Sequence, residues 1–264
     1  MKICCLVKEV PDAAVQKRID SSSKRLDRSG EKNLNPFDTH GIEAAMQIRE
    51  GGAVEVDEIV AVTMGPSSAV RALHKAVALG ADRSVHLTDS ALEGSDVCAT
   101  GYALAKVLES ESPDLVLLGQ QSDDGECYTI GAVVADHLKM PSLTQVIKMD
   151  VADGKLTCER QAEYGYDTVE VELPAVISVG DAINEPRYPS LKAIMGAKKK
   201  PLDTKGAGDV GIEGDKVGET GSRTAVLAIN PPPEKEAGQI IEDEDTDETV
   251  EKIVSWLEER KLLA

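Results

Sequence analysis

Aromatic residues are scarce in this chain of 264 residues, which has one Trp, one Phe and five Tyr. A core therefore has to be built from Val, Ile, Leu and Ala, and such a core is typical of buried parallel strands covered by helices. Hydrophobic residues make up 41% of the chain, an ordinary share for a globular protein. The length suffices for one large α/β domain with appendages.

Positive charge is also in deficit, since the formal net charge is −18 at pH 7. Binding to nucleic acid needs a basic face, so the composition argues against a nucleic-acid partner. No apolar run approaches the ~20 residues that cross a bilayer, and we expect no direct membrane insertion. The first residues enter a strand-like run without the pattern of a signal peptide, so the expected location is cytoplasmic.

Neither the cysteines nor the histidines form a recognisable catalytic or metal-binding set. The five cysteines show no CxxC pair, which fits a reducing compartment. Cys4 and Cys5 stand in an apolar run, where a cysteine is usually a small buried hydrophobic residue. The four histidines are scattered, with no carboxylate, Cys or Ser at catalytic spacing. We therefore expect a chain without catalytic residues of its own, and not an enzyme.

The first two-thirds of the chain alternates strand-like runs with helical patterns. The strand-like runs cover residues 3–7, 58–63, 84–87 and 115–118. The helical patterns cover residues 41–50, 67–79, 95–109 and 127–138. This alternation predicts an α/β fold with a parallel sheet covered on both faces.

From about residue 143 the pattern changes to alternating polar and apolar residues. The segments 146–151, 155–163 and 168–173 predict antiparallel strands with one face in water, appended to the parallel sheet. Ala175–Val179 is apolar throughout and predicts a further core strand. We place the end of the α/β domain at residue 200, because periodicity is lost beyond it.

Residues 201–264 are predicted to form an extended linker and a C-terminal arm. A G-x-G-x-x-G sequence at 206–211 has no strand before it and no helix after it, so it is interpreted as a flexible linker. Residues 224–229 predict a lone strand, residues 231–233 are three stiff prolines, and residues 250–263 predict an amphipathic helix. An isolated helix of this length is marginal in water, so it packs on its own domain or on a partner subunit.

The loop at residues 123–131 follows a predicted strand and precedes a helix. Such a loop aims backbone N–H groups and the positive end of the helix dipole at an anion, beyond the carboxyl ends of the strands. Nucleotide binding is one interpretation. An acidic connecting loop is the other, since neither a Walker A sequence nor a dinucleotide fingerprint is present. The only Phe, Phe37, lies on another loop, where it meets a flat ligand or packs in the core.

Residues 174–200 combine a strand-like run, a turn with two prolines, a short amphipathic segment and three lysines. Pro186 and Pro189 fix the backbone, so this segment predicts a preset platform that carries apolar side chains above basic ones. A strand with an ordinary surface turn is the alternative.

Several motifs in order along the chain resemble the beta subunit of electron transfer flavoproteins. They are VKEVPD (7–12), NPFD (35–38), VAVTMGP (60–66), ALGADR (78–83), GSD (94–96), residues 114–131 and, as the most specific, residues 173–200 with NEPRY and the lysine cluster. The resemblance implies a Rossmann-like nucleotide-binding domain whose C-terminal arm wraps onto an alpha subunit. It also implies one FAD, held mainly by alpha with beta beside it, and a structural AMP in beta.

The resemblance carries the AMP contacts onto two loops and a helix of this chain. These residues are Leu6, Asn35, Pro36, Phe37, Asp38, Met64, Asp124, Gly125, Glu126, Cys127, Tyr128, Thr129, Ile130, Gly131, Ala132, Val133, Val134 and Ala135. Phe37 is also expected near the flavin. A flavin-neighbouring tyrosine that some members place just after the Asp12 position is Ala13 here.

The resemblance also implies a recognition loop for flavoprotein dehydrogenases, anchored by Leu191. Its partner-binding residues are Asn184, Glu185, Pro186, Arg187, Tyr188, Leu191, Ile194, Met195, Lys198, Lys199 and Lys200. The implied function is an electron carrier that accepts electrons from dehydrogenases of the acyl-CoA type, as in fatty acid beta-oxidation, and delivers them to a quinone oxidoreductase. Two alternatives remain open. One is a bifurcating member with a second FAD in place of AMP, and the other is a stand-alone adenine-nucleotide sensor of the universal-stress-protein type.

Overall fold

The computed structural model of the chain describes residues 1–230, 238, 240 and 245–263. Contacts divide the chain into two units, Met1–Leu227 and Ala228–Ala264. The described strands are β1 (Lys2–Leu6), β2 (Glu9–Pro11), β3 (Ile19–Asp20), β4 (Arg25–Leu26), β5 (Lys32–Leu34), β6 (Glu58–Met64), β7 (Arg83–Leu87), β8 (Leu115–Gly119), β9 (Ser142–Ala152), β10 (Lys155–Ala162), β11 (Gly165–Glu172), β12 (Ala175–Val179) and β13 (Leu202–Lys205).

Seven α-helices lie in the described residues. They are α1 (Pro36–Gly51), α2 (Val70–Leu79), α3 (Val97–Glu111), α4 (Ile130–Leu138), α5 (Leu191–Ala197), α6 (Gly218–Gly221) and α7 (Thr246–Glu259). Helix α1 begins five residues before its predicted start, because Pro36 at its first position is preorganised for a helix. None of the described helices is long and apolar enough to cross a membrane.

Nine strands form one sheet in the order β11-β10-β9-β12-β8-β1-β6-β7-β13. The strands from β12 to β13 pair in parallel, and β9, β10 and β11 form an antiparallel meander whose first strand pairs in parallel with β12. The chain runs outward from β1 to β6 and β7, then returns to the other side of β1 as β8. The predicted Rossmann-like sheet with appended antiparallel strands is therefore confirmed.

Aliphatic side chains on the two faces of the parallel strands build two cores. Ile3 and Cys5 of β1 point to the face covered by α1 and α2, whereas Cys4 and Leu6 point to the face covered by α3 and α4. Burial raises the pKa of the Cys4 thiol to about 12 and raises that of Cys5 as well. Both thiols are therefore small buried hydrophobic groups, as the sequence predicts.

The segment after residue 200 differs from the sequence prediction. Strand β13 leads directly into the G-x-G-x-x-G sequence and pairs with β7, so the expectation that no strand precedes it was wrong. As a four-residue edge strand with two charged side chains, β13 shows no apolar run. A single turn of 3₁₀ helix, Gly208–Val210, stands where the dinucleotide fingerprint needs the start of an α-helix, so the fingerprint is absent. Ile212 and Val217 are buried, and the first compact unit extends to Leu227, beyond the boundary placed at residue 200.

Residues 224–229 form no strand, which corrects the prediction for this segment. Their side chains are exposed, and in the described part of the chain no strand pairs with them. The proline segment at 231–233 lies outside the described residues. Helix α7 is present and begins four residues before its predicted start, because the Asp245 side chain caps it by accepting a hydrogen bond from Asp247 N.

Candidate nucleotide site and exposed platform

The strand order reverses between β1 and β8. In open α/β sheets, such a switch point leaves a crevice beyond the carboxyl ends of its two strands, and ligands bind there. Asp38, in the first turn of α1, closes its floor. Its carboxylate accepts hydrogen bonds from Lys8 N at 2.8 Å and from Gly119 N at 3.3 Å, so one side chain joins the ends of both strands to α1.

Burial governs the protonation of Asp38. It raises the pKa of this carboxyl to about 7, although the N–H groups of Lys8 and Gly119 favour the charged form. The floor of the crevice therefore carries a group that titrates near neutral pH.

Asn35 fixes the loop that follows β8. Its Nδ2 donates to Gln121 O at 2.8 Å, and its Oδ1 accepts from Asp123 N at 3.1 Å. The start of α1 also lies close to the end of β8, because a Cβ on Gly119 would lie 2.5 Å from the carbonyl carbon of Phe37. Only glycine fits at this position.

Helix α4 points its N-terminus at the same loop. Thr129 is its N-cap residue, and no side chain among the described residues caps it. Residues 125–129 are exposed, and both Glu126 and Tyr128 adopt positive φ angles of 46° and 56°. The N-terminus of α4 therefore follows an exposed loop and has no side-chain cap, and the helix dipole favours an anion there.

Three cations surround this loop. Lys8 Nζ donates to Asp124 Oδ1 at 2.7 Å, and Arg28 Nη2 donates to Asp124 Oδ2 at 2.6 Å. Lys17 Nζ donates to Asp123 Oδ2 at 2.9 Å. Burial raises the pKa of Asp124, but Lys8 and Arg28 outweigh that effect and lower it to about 2. The Asp124 carboxylate is thus ionised, and both aspartates hold the loop to these cations.

The segment at residues 184–200 is clamped onto α1 by its polar residues. Asn184 Nδ2 donates to His40 O at 3.0 Å. The Arg187 guanidinium pairs with two carboxylates of α1, at 2.7 Å from Glu43 Oε2 and 2.6 Å from Glu50 Oε1. Two bidentate pairs of this kind fix the segment against the helix.

Four apolar side chains of this segment stand in solvent. Tyr188 is 95% exposed, Leu191 80%, Met195 76% and Ile194 50%. Ser190 caps α5 by accepting from Ala193 N, and α5 packs on α2. We call these four side chains the apolar patch. Lys198, Lys199 and Lys200 follow it and are exposed.

The chain matches the model of the electron transfer flavoprotein domain over residues 24–209. It is 40% identical over 265 residues to the electron transfer flavoprotein subunit beta of Mycobacterium bovis, covering 99% of both chains. It belongs to the beta-subunit family of electron transfer flavoproteins.

Two further relatives are similar to the chain over nearly its whole length. The beta subunit of Bos taurus is 34% identical, with 96% of this chain and 95% of the relative covered. The caffeyl-CoA reductase-Etf complex subunit CarD of Acetobacterium woodii is 34% identical and covered in full. As a beta subunit, the chain is an electron carrier subunit.

The structure brings most of the predicted nucleotide residues of this beta subunit to one place. Asn35, Asp38 and the loop at 124–129 line the crevice, and Met64 ends β6, next to β1. The side chains of Leu6, Val134 and Ala135 are buried in the core between the sheet and helices α3 and α4. Val133 packs against α3, where a Cβ on Gly101 would lie 2.4 Å from its Cγ1, while Ala132 is exposed. These α4 and β1 residues support the floor of the crevice.

The crevice of this beta subunit has two polar features that suit a nucleotide. The N-terminus of α4 suits a phosphate group. The side-chain oxygen of Gln121 is buried and has no hydrogen-bond partner within the described residues, so it is available to accept a hydrogen bond.

Three cations beside the loop at 123–129 were not predicted from the sequence. Lys8 directly follows a predicted strand, which was an available signal. Lys17 and Arg28 lie in a segment without periodicity, and nothing local marks them. Asn184 and Arg187 are predicted to bind a partner, and in the structure their side chains contact α1.

Proposed function

We propose that this chain is the beta half of a heterodimer that carries electrons on one FAD. The alpha subunit holds the FAD. This chain forms one side of the FAD site and holds an AMP in the crevice between β1 and β8. The observation that carries the proposal is that crevice, with the open N-terminus of α4 beside the loop that Asn35 fixes. The FAD supplies the redox chemistry. This chain positions the bound nucleotide and keeps the crevice in shape.

We favour AMP over a second FAD, because the loop before α4 carries no dinucleotide fingerprint. The membership of a relative in a caffeyl-CoA reductase-Etf complex keeps the bifurcating alternative open, with FAD in place of AMP.

The apolar patch is proposed as the dehydrogenase anchor of this carrier. Leu191 stands out from a helix that is itself clamped to the domain, so it meets a partner without prior rearrangement. Lys198, Lys199 and Lys200 next to it affect the rate of encounter more than the affinity. The proposed donors are flavoprotein dehydrogenases of the acyl-CoA type in fatty acid beta-oxidation, the acceptor is a quinone oxidoreductase, and the location is cytoplasmic.

The nucleotide content decides between these alternatives. The chain is co-expressed with its alpha subunit, the purified heterodimer is denatured, and released FAD and AMP are counted by chromatography. We expect one FAD and one AMP per dimer. Two FAD per dimer contradict the AMP assignment and favour bifurcation. A chain that is stable alone, binds adenine nucleotide and needs no second subunit favours the sensor.

A further inference from the structure

Residues 12–31, here called the strap, form a long excursion between β2 and β5. The chain enters the strap from β2 and continues from it into β5, and these two strands pair with each other. At its base Asp12 N donates to Glu31 O at 2.9 Å, and at its tip β3 pairs with β4.

The strap has little packing of its own. Of its residues only Asp12, Val15 and Leu26 are half-buried, and the rest are exposed. An element that buries so little apolar surface is held in place by polar contacts at its ends, and it belongs to the least stable part of a fold.

One side of the strap is held by the nucleotide loop. Lys17 Nζ donates to Asp123 O at 2.6 Å as well as to the carboxylate. Arg28 directs both Nε and Nη2 at Asp124 Oδ2, at 3.0 and 2.6 Å. The side chain of Asp124 is fully buried beneath these contacts, so the loop and the strap meet in a defined geometry.

The tip of the strap holds a different segment. Lys24 Nζ donates to Leu227 O at 2.9 Å and lies 3.4 Å from Val226 O. Arg25 Nη2 donates to Glu219 Oε1 at 3.2 Å. These contacts join the strap to residues 219–227, which end the first compact unit.

The segment at residues 219–227 has a second attachment, and the hydrogen exchange of its amides can be measured. The backbone N–H groups of Arg223 and Thr224 donate to Asp96 Oδ2, at 2.8 and 2.9 Å. Residues 223–230 are exposed, so these amides are protected from exchange only as long as the segment stays attached.

We infer that the strap couples the nucleotide loop to residues 219–227. The contacts of Lys17 and Arg28 with the nucleotide loop fix the weakly packed strap, and the strap in turn holds residues 219–227 in place. Ligand binding that orders the loop therefore also orders residues 219–227, and by linkage an ordered segment tightens ligand binding. The expected ordering of residues 219–227 by a ligand rests on the proposed nucleotide site. The coupling between the loop and these residues does not.

The coupling is tested on the full chain by hydrogen exchange of the Arg223 and Thr224 amides. In Arg28→Gln we expect both to exchange about three- to fivefold faster, the effect of losing a surface ion pair. The matched control is Arg18→Gln, which changes the same residue type on the same strap. The Arg18 side chain bonds only to Gln16 Oε1 among the described residues, so this variant should match the unchanged chain. Equal exchange in Arg28→Gln and Arg18→Gln overturns the inference.

Added AMP tests the direction of the effect. Saturating AMP should slow exchange of both amides in the unchanged chain, and this slowing should be lost in the Lys24→Gln, Arg25→Gln double variant, whose changes lie at the tip of the strap and not at the loop, while calorimetry still detects AMP binding. AMP that binds without slowing exchange overturns the coupling. AMP that does not bind contradicts the proposed nucleotide site, and the Arg28→Gln comparison then decides on the coupling alone.

Discussion

At the scale of single residues, Asp38 combines a structural and a titratable role. It receives backbone N–H groups from the ends of two neighbouring strands, and burial keeps its pKa at about 7. A carboxylate at this position holds the crevice together by hydrogen bonds, but its charge opposes burial. The two effects act in opposite directions on the stability of the domain.

The pH dependence of stability follows from this pKa. An aspartate has a pKa of about 3.9 in the unfolded chain, so between pH 4 and 7 the folded state binds more protons at this position. Stability therefore falls as pH rises through that window. Asp38→Asn does not titrate, so the unchanged chain should lose up to about 4 kcal/mol relative to the variant between pH 4 and 7.

Urea unfolding at several pH values measures this difference. The exposed Asp136→Asn variant is the control and should run parallel to the unchanged chain across the same window. A difference between Asp38→Asn and the unchanged chain that stays constant from pH 4 to pH 7 contradicts the role assigned to Asp38.

At the scale of elements, the platform divides its residues between two tasks. Arg187 and Asn184 face inward and bind α1, whereas the apolar patch faces outward on α5. A helix of seven residues is too short to be stable alone. The inward contacts therefore keep α5 in place, and the outward side chains remain available for a partner.

Replacing Leu191 with Ala separates docking from folding. Because Leu191 is 80% exposed, the free energy of unfolding should change by less than about 0.5 kcal/mol. An anchor residue contributes about 2 kcal/mol or more to an interface, so kcat/KM for electron transfer from the dehydrogenase should fall about 30-fold. The measurement is steady-state reduction of the heterodimer by the dehydrogenase.

Leu227→Ala is the matched control, since Leu227 is 84% exposed and lies outside the apolar patch. It should leave both stability and transfer unchanged. If Leu191→Ala transfers electrons as fast as this control, Leu191 is not the anchor. Flavin content is determined in parallel, because a loss of flavin would lower transfer for another reason.

At the scale of the whole molecule, the chain consists of a domain with two cores and a second unit whose described residues include no buried side chain. Helix α7 has no buried residue in the described part of the chain, and Val250, Ile253 and Val254 on it are exposed. An amphipathic helix with its apolar side in solvent is a surface for a partner, here proposed to be the alpha subunit.

Truncation after residue 230 tests this division. The domain Met1–Leu227 keeps its whole core, so the truncated chain should fold with a thermal midpoint within about 2 °C of the full chain. Co-purification with the alpha subunit should be lost. Ile253→Asp in the full chain is the companion variant and should weaken assembly at unchanged stability. A truncated chain that still assembles contradicts the proposed role of α7.

Local patterns were enough to predict the class of fold and several of its elements. The βα alternation gave the parallel sheet, and Ala175–Val179 was located to the residue, because periodicity and apolar runs reflect which side chains are buried. Short edge elements such as β13 were not predicted, since an edge strand needs no apolar run. The resemblance of ordered motifs indicated the family before any geometry was known.

The sequence by itself determined the βα elements, the loop before α4 and the apolar segment around Leu191, since each depends on neighbours close in the chain. Only the tertiary structure placed β1 between β6 and β8, joined Arg28 to Asp124 and turned Arg187 toward Glu43. The last pair is 144 positions apart. Contacts of that kind are selected by the folding of the whole sheet, and no local pattern of residues encodes them.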